Sequence, residues 1–282
     1  QVGMVVRRIS SHIPSFEELN LPSPILEKIA LMRRGLVFFV GGTGTGKSST
    51  QAAVIGYRNH HTRGHIVTVE DPIEFVHQHD RCIVTQREVG VDTGSYRSAL
   101  ENAMRQAPDV IQIGEVRTSE TMKSAIVFAE TGHLCLATLH ANNTYQALER
   151  IINLYPDDAR NHLYMDLSMN LKGIVSQRLI PHASGSGFVP AIEIMLNSPL
   201  ISDLIMKGQI NEIKEIIEKS TDEGMISFDQ SLFELYEKGM ISYEDAMRNA
   251  DSVNNLRLKI KLEGKVAQSK QDLGSTFEKV EF

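Results

Sequence analysis

The chain has 282 residues, 23% charged and 41% hydrophobic, with a formal net charge of −6. That composition suits a folded chain with a sizeable core in one large or two modest domains, and its acidic balance argues against a nucleic-acid partner. Cys82 and Cys135 stand far apart without a Cys-x-x-Cys pair, which argues against a zinc ribbon or disulfide framework and fits a reducing cytosol. No apolar run approaches a membrane span and no signal-peptide pattern is present, so membrane association is expected to run through a partner.

The chain starts at Gln1, and Met4 to Ile9 is strand-like, followed by a polar connection with Pro14. Residues 1–20 therefore read as the end of an upstream domain and its linker. Ser23-Pro24 opens a helix with Ile25, Leu26, Ile29 and Met32 on one face, and Gly35 ends it. The apolar run Leu36 to Val40 predicts a buried parallel strand.

Gly41-Gly42-Thr43-Gly44-Thr45-Gly46-Lys47-Ser48 then satisfies G-x-x-x-x-G-K-[ST]. With a strand before it and the helix-like Ser49 to Asn59 after it, the motif has the context that phosphate binding needs. The glycines let successive N–H groups point at phosphate oxygens, and Lys47 reaches the β and γ phosphates. Ser48 offers a hydroxyl to Mg²⁺.

Further along, His65 to Val69 reads as a strand running into Glu70-Asp71-Pro72-Ile73-Glu74, and Cys82 to Gln86 as a shorter strand. Tyr96 to Arg105 reads as a helix, Val110 to Ile113 as a strand, Thr118 to Thr131 as a helix closed by Gly132, and Leu134 to Leu139 as another buried strand. Asn143 or Thr144 can cap the next helix, and Ala159 to Leu179 reads as the longest helical stretch. This alternation predicts an α/β fold, a mostly parallel sheet covered on both faces. Beyond Glu193 the pattern becomes helical, with stripes at Ile210, Ile213, Ile216 and Ile217 and at Phe228, Leu232, Leu235 and Tyr236. Residues 21–195 are thus expected to form the core, 196–262 a small helical C-terminal subdomain, and 263–282 a disordered tail.

Hydrolysis needs a group that orients water, a Mg²⁺ partner and positive charge for the transition state. Glu115 follows a buried strand and belongs beside the P-loop, where ligands bind in a parallel sheet. Glu70, Asp71 and Glu74 cluster after the second strand, and spacing alone leaves Glu70 and Glu74 both open as the water-holding acid. His133 and His140 bracket a strand and fall on opposite faces or near its two ends. His60-His61 and His77-x-His79 read as solvated loops. Arg7, Arg8, Arg105 and Arg117 are the possible charge stabilisers.

GGTGTGKS, VTVEDPIEF (Val67 to Phe75), QREVG (Gln86 to Gly90), IQIGEVR (Ile111 to Arg117) and ETGHLCLATLH (Glu130 to His140) occur in this order. Together they resemble the secretion and type IV pilus motor ATPases, most closely the PilT/PilU retraction group. The resemblance implies a RecA-like P-loop core, a preceding PAS-like domain, and a homo-hexameric ring of the full-length protein.

It further implies ATP and Mg²⁺ as cofactors, with nucleotide held by Gly42 to Ser49 and metal by Ser48 and Glu115. Among the open acids it selects Glu74 as the catalytic glutamate. Glu115 matches the Walker B glutamate, and His133 and His140 the His box. Arg7, with Arg8 second, matches an arginine that acts in trans.

Thr118, Ala141-Asn142-Asn143, Leu200 to Lys207 (LISDLIMK), Ser176 to Pro181 (SQRLIP) and the tail depart from the PilT pattern toward PilU. The implied function is an ATP-hydrolysing motor subunit of pilus retraction and twitching motility, working with a PilT-type ATPase and the inner-membrane platform protein. Its expected location is cytoplasmic, peripheral at the inner membrane. The alternative is an accessory coupling subunit with weak hydrolysis of its own.

Overall fold

The computed structural model describes residue 3 and residues 9–264. Strands β1 (Gly35–Val40), β2 (Gly64–Glu70), β3 (Cys82–Glu88), β4 (Val110–Ile113), β5 (Leu134–Leu139), β6 (Leu171–Pro181) and β7 (Phe188–Leu196) form one sheet in the order β3-β2-β4-β5-β1-β6-β7. All neighbours pair in parallel except β6 with β7. The parallel strands therefore deliver their C-terminal ends to one edge of the sheet.

The apolar run in β1 is buried throughout because both faces of the sheet are covered. Phe38 enters one core, against α3 (Tyr96–Ala103), α4 (Ser119–Glu130), α5 (Thr144–Asn153) and α6 (Arg160–Asn170). Its neighbour Phe39 enters the other, against α1 (Ser23–Ala30) and α2 (Lys47–His61). This period-two division places the P-loop at the end of a strand clamped between two cores.

The long helix expected over Ala159 to Leu179 is corrected. Helix α6 stops at Asn170, and Leu171 is already extended. The β-branched Ile174 and Val175 favour the strand, where they lie between β1 and β7. A Cβ on Gly173 would approach the Met195 carbonyl oxygen to 2.9 Å, so only glycine lets β7 pair so closely.

After β7 come α7 (Pro199–Met206), α8 (Ile213–Lys219), α9 (Phe228–Glu237), α10 (Tyr243–Asn249) and α11 (Val253–Glu263). The apolar stripes of α7 and α8 enter the same core as Phe38. Those of α9 to α11 close over Ile180, Val189 and Ala191 of β6 and β7. Arg178 of β6 ties this region to the sheet edge: its guanidinium donates to the Asn249 and Asn142 carbonyl oxygens and to Asp251 Oδ1, and it lies 3.8 Å from the Phe228 ring centroid. Of the tail expected over 263–282, Glu263 still belongs to α11, while residues 265–282 lie outside the described residues, as do Arg7 and Arg8.

Candidate nucleotide site

Between β1 and α2 the chain turns through the Gly-rich loop. Gly46 has φ +87° and directly precedes α2, a conformation that disfavours a side chain. A Cβ there would also lie 2.7 Å from Gln177 Nε2. Gln177 is itself held in place, since Thr50 Oγ1 donates to its Oε1 at 2.6 Å.

Lys47 is buried and donates to the carbonyl oxygens of Gly41 (2.9 Å) and Gly42 (2.6 Å). Burial pulls its ammonium below the usual lysine range, against the opposing pull of Glu115 and Glu74. A cation in this setting gains from any anion placed at the mouth of α2.

The loop opens into a cavity of about 660 Å³. Thr43 to Ser49 form one wall, and Glu70, Asp71, Glu74, Tyr96, Gln112, Glu115, Arg117 and His140 supply most of the remaining polar lining. Gly42 lies beside it, next to His140 in the adjoining hollow. A groove of comparable volume, about 670 Å³, runs between residues 11–18 and the distal half of α2. It lacks the P-loop backbone, so the phosphate chemistry belongs to the former.

Glu115 reaches the cavity because Gly114 lets the chain pass close to β2. A Cβ at Gly114 would meet Tyr96 Oη at 2.8 Å and the Val69 carbonyl oxygen at 3.0 Å. Arg117 donates to Glu115 Oε2 through Nε (2.7 Å) and a terminal nitrogen (2.6 Å), while His140 Nε2 lies 3.3 Å from Oε1. Thr138 Oγ1 bonds the Gly114 carbonyl oxygen and so ties the Glu115 turn to β5.

Glu70 is 8% exposed, and burial pushes its carboxyl above the usual carboxylate range. Its carboxylate accepts from Thr68 Oγ1 (2.7 Å), from Gln86 Nε2 (3.1 Å) and from the backbone N–H of Glu74. Of the two acids that spacing left open, Glu70 is committed to local bonds, and Glu74 sits on the loop those bonds support. Burial also pushes the Tyr96 phenol up to about 12, aided by Asp71 and Glu115. Gln112 Nε2 donates to Gln51 Oε1 at 2.9 Å, which joins β4 to α2 beneath the cavity.

His133 is not brought to this site. It precedes β5 and His140 follows it, so the two are about 23 Å apart along an extended strand. A parallel strand has only one end at the ligand edge, and that end carries His140. The His133 ring instead bonds the Phe128 carbonyl oxygen and Thr131 Oγ1. Arg105 is exposed and outside the cavity lining. His77, expected in a solvated loop, is buried, and desolvation pushes its imidazole down to about 4. Tyr96 and Gln51 carry no motif signal of their own, and only the fold collects them beside Gln112.

Among the described residues no group of three or more His, Cys, Asp or Glu side chains is arranged to hold a metal ion. Mg²⁺ keeps several waters and takes phosphate oxygens beside one or two protein ligands, so a site for it needs few side chains. Ser48 and Glu115 face the same cavity and can serve.

The family model described as Type II/IV secretion system protein matches residues 5–230. The type IV pilus ATPase PilU of Pseudomonas aeruginosa is 61% identical over 93% of this chain and 68% of its own length. The type IV pilus retraction ATPase PilT of the same organism is 39% identical over 90% of this chain and 73% of its own. The crystal structure of the pilus retraction motor PilT with bound ADP shares the fold at a TM-score of 0.82 and 39% identity, covering 89% of this chain and 71% of that one. The higher identity to PilU agrees with the direction of the departures from the PilT pattern. With its P-loop edge, parallel sheet and family match, the chain belongs to the Type II/IV secretion system protein family.

Proposed function

We propose that this chain is a Mg²⁺-dependent ATPase and a PilU-like motor subunit of type IV pilus retraction. In that reading it acts as a homo-hexamer at the cytoplasmic side of the inner membrane, with a PilT-type ATPase and the pilus platform protein. The carrying observation is one cavity shared by Lys47, Ser48, Glu74, Glu115 and His140, in a chain 61% identical to PilU.

The cavity geometry supports the roles of Lys47, Ser48 and Glu115, and the family resemblance supports those of Glu74 and of Arg7 or Arg8. Lys47 exchanges its bonds to the Gly41 and Gly42 carbonyls for β- and γ-phosphate oxygens. Thr43 to Ser49 supply backbone N–H groups at the start of α2, and the Ser48 hydroxyl and Glu115 would hold Mg²⁺, which would neutralise phosphate charge. Glu74 takes the proton of the attacking water. His140 and Arg117 hold Glu115 from two sides, so a change at the γ-phosphate alters a network already joined to β5. Arg7 or Arg8 completes the charge from a neighbouring subunit, a contribution of about 10³–10⁵ in rate where such arginines act.

A second reading, an accessory coupling subunit with weak hydrolysis, draws on α7, where Leu200 and Met206 are half exposed. The departure at Thr118 lends it no support. Thr118 Oγ1 accepts the Thr121 N–H and caps α4, a task for which Asp and Thr are both suited.

The test is phosphate release by Glu74→Gln beside a nucleotide titration. ATP binding is expected to persist while turnover falls by about 10²–10⁴, the range for loss of a general base. Unchanged phosphate release removes Glu74 from that role. Native mass measurement with and without ATP tests the hexamer. Normal retraction in a strain that keeps this protein but lacks the PilT-type partner would sink the accessory reading.

A further inference from the structure

Beyond the bond from Gln86 to Glu70, the QREVG stretch touches the loop that carries Glu74 at several points. That loop, residues 71–81, joins β2 to β3 and runs back alongside β3. Gln86 and Glu88 lie two residues apart on β3, so their side chains share one face. Glu88 Oε2 accepts the Ile73 N–H at 3.1 Å. Gln86 Nε2 donates to the Phe75 carbonyl oxygen at 2.9 Å, and its Oε1 accepts the His77 N–H at 2.8 Å.

The contacts alternate along the loop at Ile73, Phe75 and His77, flanking Glu74 on both sides. Gln86 Nε2 also donates to Glu70 Oε1, whose carboxylate takes the Glu74 N–H. Beyond the bridge that pairs Phe75 with Ser10, and the Val76 N–H bond to the Ser10 carbonyl oxygen, the loop lacks a helix or strand of its own, so these β3 side chains supply bonds that a regular element would otherwise provide.

We propose that Gln86 and Glu88 are positioning residues that hold the Glu74 carboxylate at the phosphate edge by clamping its loop backbone from β3. The proposal rests on Glu74 being the base. A carboxyl carried on an unsupported loop samples many orientations, and displacement of about 1 Å from a productive geometry costs on the order of 10²-fold in rate. Neither Gln86 nor Glu88 lines the nucleotide cavity, so the clamp acts on rate and leaves phosphate binding to the P-loop.

The experiment uses the full-length protein with Gln86→Leu, Glu88→Ala, Glu88→Gln, Glu74→Gln and the double variant of Gln86→Leu with Glu74→Gln. Ile83→Ala, at an exposed β3 position, is the control. Phosphate release, affinity for a fluorescent ATP analogue, and amide exchange at Ile73 and His77 are measured.

Gln86→Leu and Glu88→Ala are each expected to lower kcat by about 10–100-fold, with nucleotide affinity within about twofold of the parent. Exchange at His77 in the first and Ile73 in the second rises about tenfold. Glu88→Gln keeps an acceptor oxygen and should restore both readouts, and Gln86→Leu should add nothing to the loss in Glu74→Gln. Parent-like kcat with protected amides in Gln86→Leu and Glu88→Ala overturns the proposal, as does a Gln86→Leu loss that multiplies with Glu74→Gln. Parent-like turnover in Glu74→Gln fails the base reading itself, and the positioning role falls with it. Should Gln86→Leu not fold, the contrast between Glu88→Ala and Glu88→Gln decides alone.

Discussion

Replacing Arg178 with Ala tests whether the helices after β7 are held to the nucleotide edge by one side chain. Three bonds and a stacking contact converge on its guanidinium: the Asn249 carbonyl oxygen at 2.8 Å, Asp251 Oδ1 at 2.8 Å, the Asn142 carbonyl oxygen at 3.2 Å, and the Phe228 ring. The Arg178 and Asp251 side chains are 22% and 13% exposed. Loss of one partner therefore leaves Asp251 largely desolvated, with Lys214 at 3.7 Å as its remaining cation among the described residues.

A fully buried pair broken this way costs about 3–5 kcal/mol, and solvent reaching the arginine reduces that to about 2–3 kcal/mol. For a chain of this size the loss corresponds to a melting shift of about 4–12 °C. Thermal unfolding of Arg178→Ala, with Arg178→Lys beside it, is the assay. Lysine keeps the charge but loses the fork and the flat stacking face, so it should recover only part of the shift. A melting temperature for Arg178→Ala within about 1 °C of the parent would refute the reasoning, because uncompensated burial of Asp251 cannot be that cheap.

Other changes separate the loop from its surroundings. The imidazole of His77 titrates at about 4 in the folded chain and near 6.5 when unfolded, so below pH 6.5 the unfolded state binds the extra proton. Stability should therefore fall as pH drops from 6.5 toward 4, by about 3 kcal/mol for this group, and urea titrations should show the slope flattened in His77→Gln. Gly46→Ala puts a side chain at φ +87° and a Cβ 2.7 Å from Gln177 Nε2. It should cost about 1–2 kcal/mol in a melt and weaken binding of a fluorescent ATP analogue, since the N–H groups around it can no longer converge.

Contiguous features of this molecule were legible and directional ones were not. Leu36 to Ser48 could be read directly because strand, turn and helix start are adjacent and each has its own chemistry. The switch at Asn170 was hidden, because Leu171, Ile174, Val175 and Leu179 stand at a spacing that also suits one helix face; the partners on β1 and β7 decide. His133 and His140 look equivalent until the strand between them acquires a direction, which only the parallel sheet supplies. His77 is followed by the polar Gln78, His79 and Asp80 in sequence, and it is buried because its loop covers the edge of the sheet. Among the arginines, Arg117 is drawn to the cavity and Arg105 is not, a difference set by the turn after Gly114.

The balance of charge in the cavity makes the last prediction. Asp71, Glu74 and Glu115 face Lys47 and Arg117, and Arg117 is already bonded to Glu115. Glu70 adds a fourth acid that burial drives toward its neutral form. Among the described lining residues, acids thus outnumber cations before a polyphosphate arrives. On the proposed reading a triphosphate needs added positive charge here, which a divalent ion held by Ser48 and Glu115 would supply. At an effective dielectric of about 20, one charge pair at 4 Å is worth about 4 kcal/mol, most of it offset by lost hydration. A net loss of 10²–10³-fold in ATP affinity is therefore expected, to order of magnitude, when Mg²⁺ is chelated. Glu115→Gln removes one acid, so it should bind ATP better than the parent in EDTA and worse in Mg²⁺. Titrations of both proteins under both conditions read this crossing directly. Parallel losses in the two proteins would mean that Glu115 neither holds the ion nor repels the phosphates.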